Sequence, residues 1–106
     1  MGFVLDDLAF CLILQKKYDK AEVYAQKAIA VKEYKAYNKY CNYISSLMCQ
    51  PKRFSEAKKY YNSFCQEDRE KIKEVLLKDW GPDDYMSRVG IDTKKFHKLF
   101  SMQKNT

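Results

Sequence analysis

The sequence predicts an all-α domain of about five to seven helices, stacked as antiparallel hairpins into an α-α superhelix. Its 106 residues include only three glycines and two prolines, which favours long regular elements over many tight turns. Apolar residues also recur at helical spacing along most of the chain. Finally, residues 17–24 (KYDKAEVY) are answered 36 positions later by residues 53–60 (RFSEAKKY), with two aromatic positions and an alanine in step. A period of this length is typical of stacked helical repeats.

The first helix is predicted over residues 3–15. Its apolar side chains cover nearly the whole circumference, and a helix that is apolar on all sides is normally buried on all sides. No Ser, Thr, Asp or Asn stands before it as an N-cap. We therefore expect a fragment of a longer protein whose earlier residues cover one face of this helix. If the chain is a whole protein, a homodimer or a bound peptide is expected there instead.

The second and third helices are predicted to follow a polar turn at residues 15–17. Three alanines on the inner face of a helix over about 18–31 allow a neighbouring helix to approach closely, so a helical hairpin is expected. A third helix is predicted from about Tyr34 to Cys49. It stops before Pro51, because the residue preceding a proline is disfavoured in helical geometry. Its apolar stripe comprises Tyr37, Cys41, Ile44 and Met48.

The last part of the chain is predicted to hold shorter or capping helices. A fourth helix is expected from Ser55, as a plausible N-cap, to about Cys65, and a fifth from Glu67 to about Asp79. Beyond Pro82 we expect a turn of helix within 83–88, a stop at Gly90, and a short helix. That helix has its N-cap at Asp92 or Thr93, ends near Met102, and carries an apolar stripe of Phe96, Leu99 and Phe100.

The repeated positions resemble the tetratricopeptide repeat family. Its W-x-x-L-G-x-x-Y and A-x-x-x-F pattern is similar to a first set at Leu5, Leu8, Ala9, Leu12, Ala21 and Ala25. The second set, each position shifted by 36, is Cys41, Ile44, Ser45, Met48, Ala57 and Tyr61. The family's Trp, Gly and final Pro are absent, and the period exceeds the usual length of about 34.

The resemblance implies a single helical-repeat domain over 1–106. Repeat one covers about 2–35 and repeat two about 36–71, followed by capping helices or a degenerate third repeat at about 67–102. The first helix of each repeat would line a concave face. Apolar anchors beside hydrogen-bonding groups suit a bound peptide or partner helix. The implied groove residues are Phe3, Asp6, Phe10, Ile13, Lys39, Asn42, Tyr43 and Ser46. Missing repeats could cover the same residues instead.

One use of this family is a clamp of lysines and asparagines that grips a C-terminal carboxylate. In this chain Asp6 and Phe10 occupy two positions where that subfamily has Lys and Asn. A carboxylate would therefore meet an acid, and we expect no such clamp.

The net charge of +6 favours anionic partners through its long-range field. Residues 32–43 interleave lysines with four tyrosines, a composition that could stack bases and neutralise phosphates. The tyrosines recur at i,i+3 spacing, however, which is typical of a packed helix with solvated lysines beside it. A basic RNA-binding surface is thus an alternative interpretation, as is a dimerisation or structural module of a larger protein.

No catalytic, metal or cofactor site is predicted, and we expect no enzyme. The four cysteines contain no C-x-x-C pair, and His97 is the only histidine. The adjacent pairs Asp6-Asp7 and Asp83-Asp84 point in different directions on a helix, so neither forms a convincing acid and base pair. The cysteines are interpreted as reduced packing residues, which predicts an intracellular, cytoplasmic protein without signal or membrane segment. The expected function is a non-catalytic protein-interaction scaffold.

Overall fold

The computed structural model describes residues 1–81 and 89–101, which form six α-helices and no strand. Helices adjacent in sequence pack against each other from the first to the fourth. The third also contacts the first and the fifth, and the sixth packs on the fourth. The all-α prediction is confirmed for this part of the chain. The helices are α1 Gly2–Leu14, α2 Tyr18–Ala30, α3 Asn38–Met48, α4 Phe54–Asn62, α5 Gln66–Trp80 and α6 Thr93–Leu99.

Two turns of the same hand follow α1 and α3. Lys16 has a φ of 63° and Lys52 a φ of 65°, in the left-handed region that residues other than glycine seldom occupy. The two lysines are 36 positions apart, as are the repeated sequence segments. After α1, the backbone N–H of Lys17 donates to the carbonyl of Leu12 at 2.8 Å, which closes the helix with a Schellman-type bond. The sequence period therefore coincides with a recurring backbone geometry.

Helix α3 begins at Asn38, four positions after the predicted start at Tyr34. Residues 31–37 form a connection instead, and the Tyr34 ring packs directly on the backbone of Gly2. A Cβ at Gly2 would collide with this ring, so glycine permits the close approach. The i,i+3 spacing of Tyr34 and Tyr37 suggested a helix, but the first of these rings packs on α1.

The ends of the later helices also differ from the prediction in places. Ser55 lies inside α4 and is not its N-cap, because the helix begins one residue earlier. The expected turn within 83–88 lies outside the described residues. Asp92 is confirmed as the N-cap of α6, since its carboxylate accepts hydrogen bonds from the backbone N–H groups of Lys94 at 2.9 Å and Lys95 at 3.3 Å.

The core is arranged around α3, which contacts α1, α2, α4 and α5. Its buried polar groups have partners, and no buried side-chain nitrogen or oxygen lacks one among the described residues. The indole N–H of Trp80 donates to Ser45 Oγ at 2.8 Å, and Ser45 in turn donates to the carbonyl of Cys41 at 2.7 Å. This bond fixes the end of α5 on α3. The largest buried apolar side chains are Ile13, Ile44, Leu47, Ile72, Leu76, Trp80, Phe96 and Leu99.

A long-range contact joins α2 to the segment before α6. The hydroxyl of Tyr18 donates to the carbonyl of Val89 at 2.5 Å. Gly90 follows with a φ of 86°, and a Cβ there would meet the same hydroxyl. Glycine is therefore required at this position both by the backbone conformation and by the space available.

Helix α5 offers a matched pair of leucines for testing the core. Leu76 is fully buried, whereas its neighbour Leu77 is 39% exposed. We expect Leu76→Ala to lower the free energy of unfolding by about 2–5 kcal/mol, because it deletes buried methyl groups and leaves a cavity. The same change at Leu77 should cost less than about 1 kcal/mol. Urea unfolding of both variants measures the difference, and equal losses would contradict the described packing of α5.

Candidate functional site

Four of the eight predicted groove residues line one cavity, named here the α1 cavity, of about 470 Å³. Helix α1, the 31–37 connection, α3 and the end of α5 form its walls. The cavity combines aromatic rings, amides and carboxylates. The lining residues are Phe3, Asp6, Phe10 and Asn42, from the predicted set, with Asp7, Tyr34, Ala36, Asn38 and Asp79.

The other four predicted groove residues do not line this cavity. Ile13 and Ser46 have no exposed surface, and Lys39 is 4% exposed. Tyr43 is half-buried, with its ring centroid 4.8 Å from that of Tyr60 in an edge-on contact. A peptide cannot reach Ile13 or Ser46 in this arrangement, because their faces of α1 and α3 are packed in the core.

A polar network forms the floor of the α1 cavity. Asp6 is only 3% exposed. Its carboxylate accepts a hydrogen bond from the Tyr34 hydroxyl at 2.5 Å and another from the Asn42 amide, which also donates to the Asp6 carbonyl at 3.2 Å. Lys39 donates to the carbonyl of Tyr34 at 2.5 Å. The network joins α1, the 31–37 connection and α3 at one point.

The α1 cavity is acidic, although the chain as a whole is basic. Burial raises the pKa of Asp6, even though the hydrogen bonds from Tyr34 and Asn42 act in the opposite direction. Burial also raises the pKa of Asp79, with a further contribution from the charge of Asp6. With Asp7, three carboxyl groups border the space. A positively charged group on a ligand would reduce their repulsion.

Helix α1 exposes an apolar face beside this cavity. Phe3 is 62% exposed, Val4 59% and Leu8 39%, and Leu14 is also exposed. We name these four residues the α1 apolar face; helical geometry places them within one half of the circumference of α1, where exposed Asp7 and Cys11 lie between them. One face of α1 is thus uncovered among the described residues, in agreement with the expectation that something outside these residues covers it; what covers it stays a prediction. The number of apolar residues in α1 exceeds what a half-buried helix needs, and this excess indicates the exposed face.

The positions equivalent to the α1 apolar face are less exposed in the second repeated unit. Adding 36 to Phe3 and Leu8 gives Lys39 and Ile44, which are buried, and adding 36 to Val4 and Leu14 gives Tyr40 and Gln50, which are half-buried. Helix α3 packs on α2 of the preceding unit. The same face of α1 has no such neighbour among the described residues.

The four tyrosines of the 32–43 run are half-buried and engaged within the chain. The Tyr34 hydroxyl bonds Asp6, and the Tyr37 hydroxyl donates to Asp68 at 2.9 Å. The Tyr40 ring lies edge-on to Phe64 with centroids 5.0 Å apart. These contacts engage all four tyrosines within the chain, although Tyr34 and Tyr37 precede α3 and so lie outside the helix in which they were predicted.

Side chains that could bind a metal ion do not converge in the described ranges. No group of three or more His, Cys, Asp or Glu residues within 1–81 and 89–101 could hold a metal ion. His97 is exposed on α6 beside the ring of Phe96. The pair Asp83-Asp84 lies outside the described residues. No helix in the described part of the chain is long and apolar enough to cross a membrane.

Comparison with protein-family models, with curated proteins and with solved structures found no match. The resemblance to tetratricopeptide repeats therefore depends on the residues of this chain alone.

The raised pKa of Asp6 predicts a pH dependence of stability. The folded protein holds the Asp6 proton more tightly than the unfolded chain does, so the contribution of Asp6 to stability is greatest below the ordinary pKa of 3.8 and is lost as pH rises through the folded pKa. Asp79 contributes with the same sign. We expect Asp6→Asn to reduce this decline, measured by urea unfolding between roughly pH 4 and pH 7. The control is Asp7→Asn at an exposed neighbour, and equal slopes in both variants would contradict the assignment.

The four free cysteines should differ sharply in reactivity. Cys11 and Cys65 are exposed, whereas Cys41 is buried and Cys49 half-buried. Burial raises the pKa of Cys41, and it raises that of Cys49 to about 12. We expect iodoacetamide to modify Cys11 and Cys65 rapidly, and the other two only after unfolding, because the thiolate is the reactive form. Peptide mass spectrometry reads the four rates, and rapid modification of Cys41 in the folded protein would contradict its described burial.

Proposed function

We propose that this protein is a non-catalytic protein-association module that docks an amphipathic helix of another protein on the α1 apolar face. The observation that supports the proposal is the exposure of Phe3, Val4 and Leu8 on one side of a single helix. Contiguous exposed apolar patches usually mark interaction sites, because isolated monomers rarely retain them. A partner helix would bury these side chains by inserting its own apolar stripe between them.

The acidic residues beside the α1 apolar face indicate which charged residues the partner helix would carry. Phe3 belongs both to the α1 apolar face and to the α1 cavity, so a docked helix would extend over the cavity rim. Asp7 is exposed there, and Asp6 and Asp79 lie deeper. A partner carrying Lys or Arg at the edge of its apolar stripe would therefore match both the shape and the charge of this surface.

The repeat architecture supports the same occupant. The stack of hairpins similar to tetratricopeptide repeats remains our proposal for the fold, supported by the left-handed turns at Lys16 and Lys52. In such an array each unit packs its first helix on the preceding unit. Since α3 is covered in this way and α1 is not, the partner helix would take the place that a preceding unit occupies in the array.

The proposal can be tested with two leucines of equal exposure. Leu8 and Leu77 are both 39% exposed, on α1 and α5 respectively. We expect Leu8→Glu to abolish capture of a partner from cell extract, because a charge would be buried in the interface. Leu77→Glu should leave capture unchanged. A photo-crosslinking phenylalanine analogue at residue 3 should then join to an amphipathic segment with Lys or Arg, identified by mass spectrometry.

Other outcomes of this experiment would overturn the proposal. Capture that disappears with nuclease treatment would indicate the RNA-binding alternative, for which steep weakening by salt is the second sign. A crosslink from residue 3 to this same chain, together with a solution mass of twice 12.6 kDa, would indicate a homodimer through α1. Equal loss of capture with Leu8→Glu and Leu77→Glu would place the partner elsewhere.

A further inference from the structure

A second cavity, of about 780 Å³, lies between α4, α5 and the end of α6. We name it the basic cavity. It shares no residue with the α1 cavity and was not anticipated from the sequence, because its walls come from segments far apart in the chain. Its size is within the range of small-molecule sites, about 300–1,000 Å³. The lining residues are Phe54, Ser55, Lys58, Lys59, Tyr61, Asn62, Ser63, Arg69, Phe100 and Ser101.

The charged residues that line the basic cavity are all positive. Lys58, Lys59 and Arg69 line it, and no acidic residue is among its described lining residues. The described salt bridges both use Arg53, so the three cations are not neutralised by a carboxylate in the described structure. Positive charges gathered in a concave space attract an anion more strongly than the same charges spread over a surface.

Two of the cations are held in place by backbone carbonyls. Lys58 Nζ donates to the carbonyl of Lys98 at 2.6 Å and to Ser101 Oγ at 3.0 Å. Arg69 donates to the carbonyl of Phe64. A carbonyl orients a cation without cancelling its charge. Arginine has five N–H donors and lysine three, so both side chains retain donors for a ligand.

Aromatic rings and hydroxyl groups complete the walls. Phe100 is packed edge-on against Tyr61, with centroids 5.5 Å apart, and Lys73 Nζ lies 5.2 Å from the centroid of the Phe100 ring. Phe54 is half-buried and contributes a second apolar wall. Ser55 adds a hydroxyl group to this lining. An apolar wall with a few oriented polar groups is the usual composition of a small-ligand site.

We propose that the basic cavity binds a phosphate monoester of a molecule that also contains an aromatic ring. A phosphate monoester carries a charge of about −1.5 to −2 and three strong acceptor oxygens, which suits a cavity lined by three cations. Arg69 and the two lysines hold the phosphate, and Phe54 and Phe100 contact the aromatic ring of the ligand. Two sources share this chemistry, a free nucleotide and a phosphotyrosine side chain. The site does not depend on the docking of a helix at α1.

The test uses isothermal titration together with amide chemical shifts of the intact chain. The probes are adenosine monophosphate, N-acetyl-phosphotyrosine amide, inorganic phosphate and adenosine. We expect saturable binding of at least one ring-bearing phosphate, with shifts in α4 and the first turns of α5, weaker binding of inorganic phosphate, and none of adenosine. Tighter binding of adenosine monophosphate would indicate a free nucleotide as the ligand. Tighter binding of N-acetyl-phosphotyrosine amide would indicate a phosphotyrosine side chain.

Substitutions of the lining residues test which side chains bind the phosphate and which bind the ring. Lys59 is exposed, and Lys59→Gln should weaken binding about tenfold through loss of a charge-assisted hydrogen bond. Arg69→Lys keeps the charge but loses the paired donors, so it should weaken binding while retaining the fold. Phe54→Leu should weaken the ring-bearing probes and leave inorganic phosphate unchanged.

The matched control is Lys20→Gln on α2, where an exposed lysine outside the basic cavity removes the same charge. Unchanged binding in this variant supports a local site. Equal weakening by Lys20→Gln and Lys59→Gln would show that the net charge attracts the anion, and it would overturn the proposal. The proposal also fails if no probe gives saturable shifts at millimolar concentration.

Discussion

The burial of α3 imposes a hydrogen-bonding requirement on which the rest of the structure depends. This helix is at the centre of the molecule, yet Lys39, Asn42, Ser45 and Ser46 are among its buried residues. Polar groups removed from water are costly unless they find partners. Asn42 finds its partner on α1 and Ser45 on α5, while Lys39 bonds the 31–37 connection. Directional bonds therefore fix the positions of these elements, whereas apolar burial alone would allow sliding.

The partners that the buried polar groups of α3 require also explain why the predicted open groove is partly filled. Only a smaller cavity remains in its place. The tetratricopeptide resemblance places Phe10 on an open concave face. In the structure the Trp80 ring stacks on Phe10, with centroids 5.1 Å apart and an interplanar angle of 17°. Trp80 is held there by its bond to Ser45. The end of α5 thus occupies part of the expected groove, and the remaining space is the α1 cavity above the Asp6 network.

Sequence reasoning succeeded where the determining interactions are local. Helical spacing and the 36-residue period predicted five helices close to their described positions. Asp92 was one of the two predicted caps, with Thr93, because the bonds of a cap reach only two and three residues ahead. It failed at the start of α3, because the side chain of Tyr34 is committed to Asp6, 28 positions away. The basic cavity could not be predicted for the same reason, since Phe54, Arg69 and Phe100 meet only after α4, α5 and α6 have packed. Four of the predicted groove residues do line the α1 cavity. The sequence repeat helped to predict this, because Asp6 and Asn42 occupy equivalent positions one period apart.

The bond between Tyr18 and Val89 changes how the whole molecule can unfold. In a simple repeat array each unit contacts only its neighbours, so terminal units can detach one at a time. Here a residue at the start of α2 is tied to one 71 positions later, beside the obligatory Gly90. When the C-terminal segment detaches, the hydroxyl and ring of Tyr18 in α2 become exposed to solvent. The packing between α1 and α2 is then weakened as well. Such a link couples distant parts of the chain into one cooperative unit, and because it closes a long loop it can form only after most of the chain is in place.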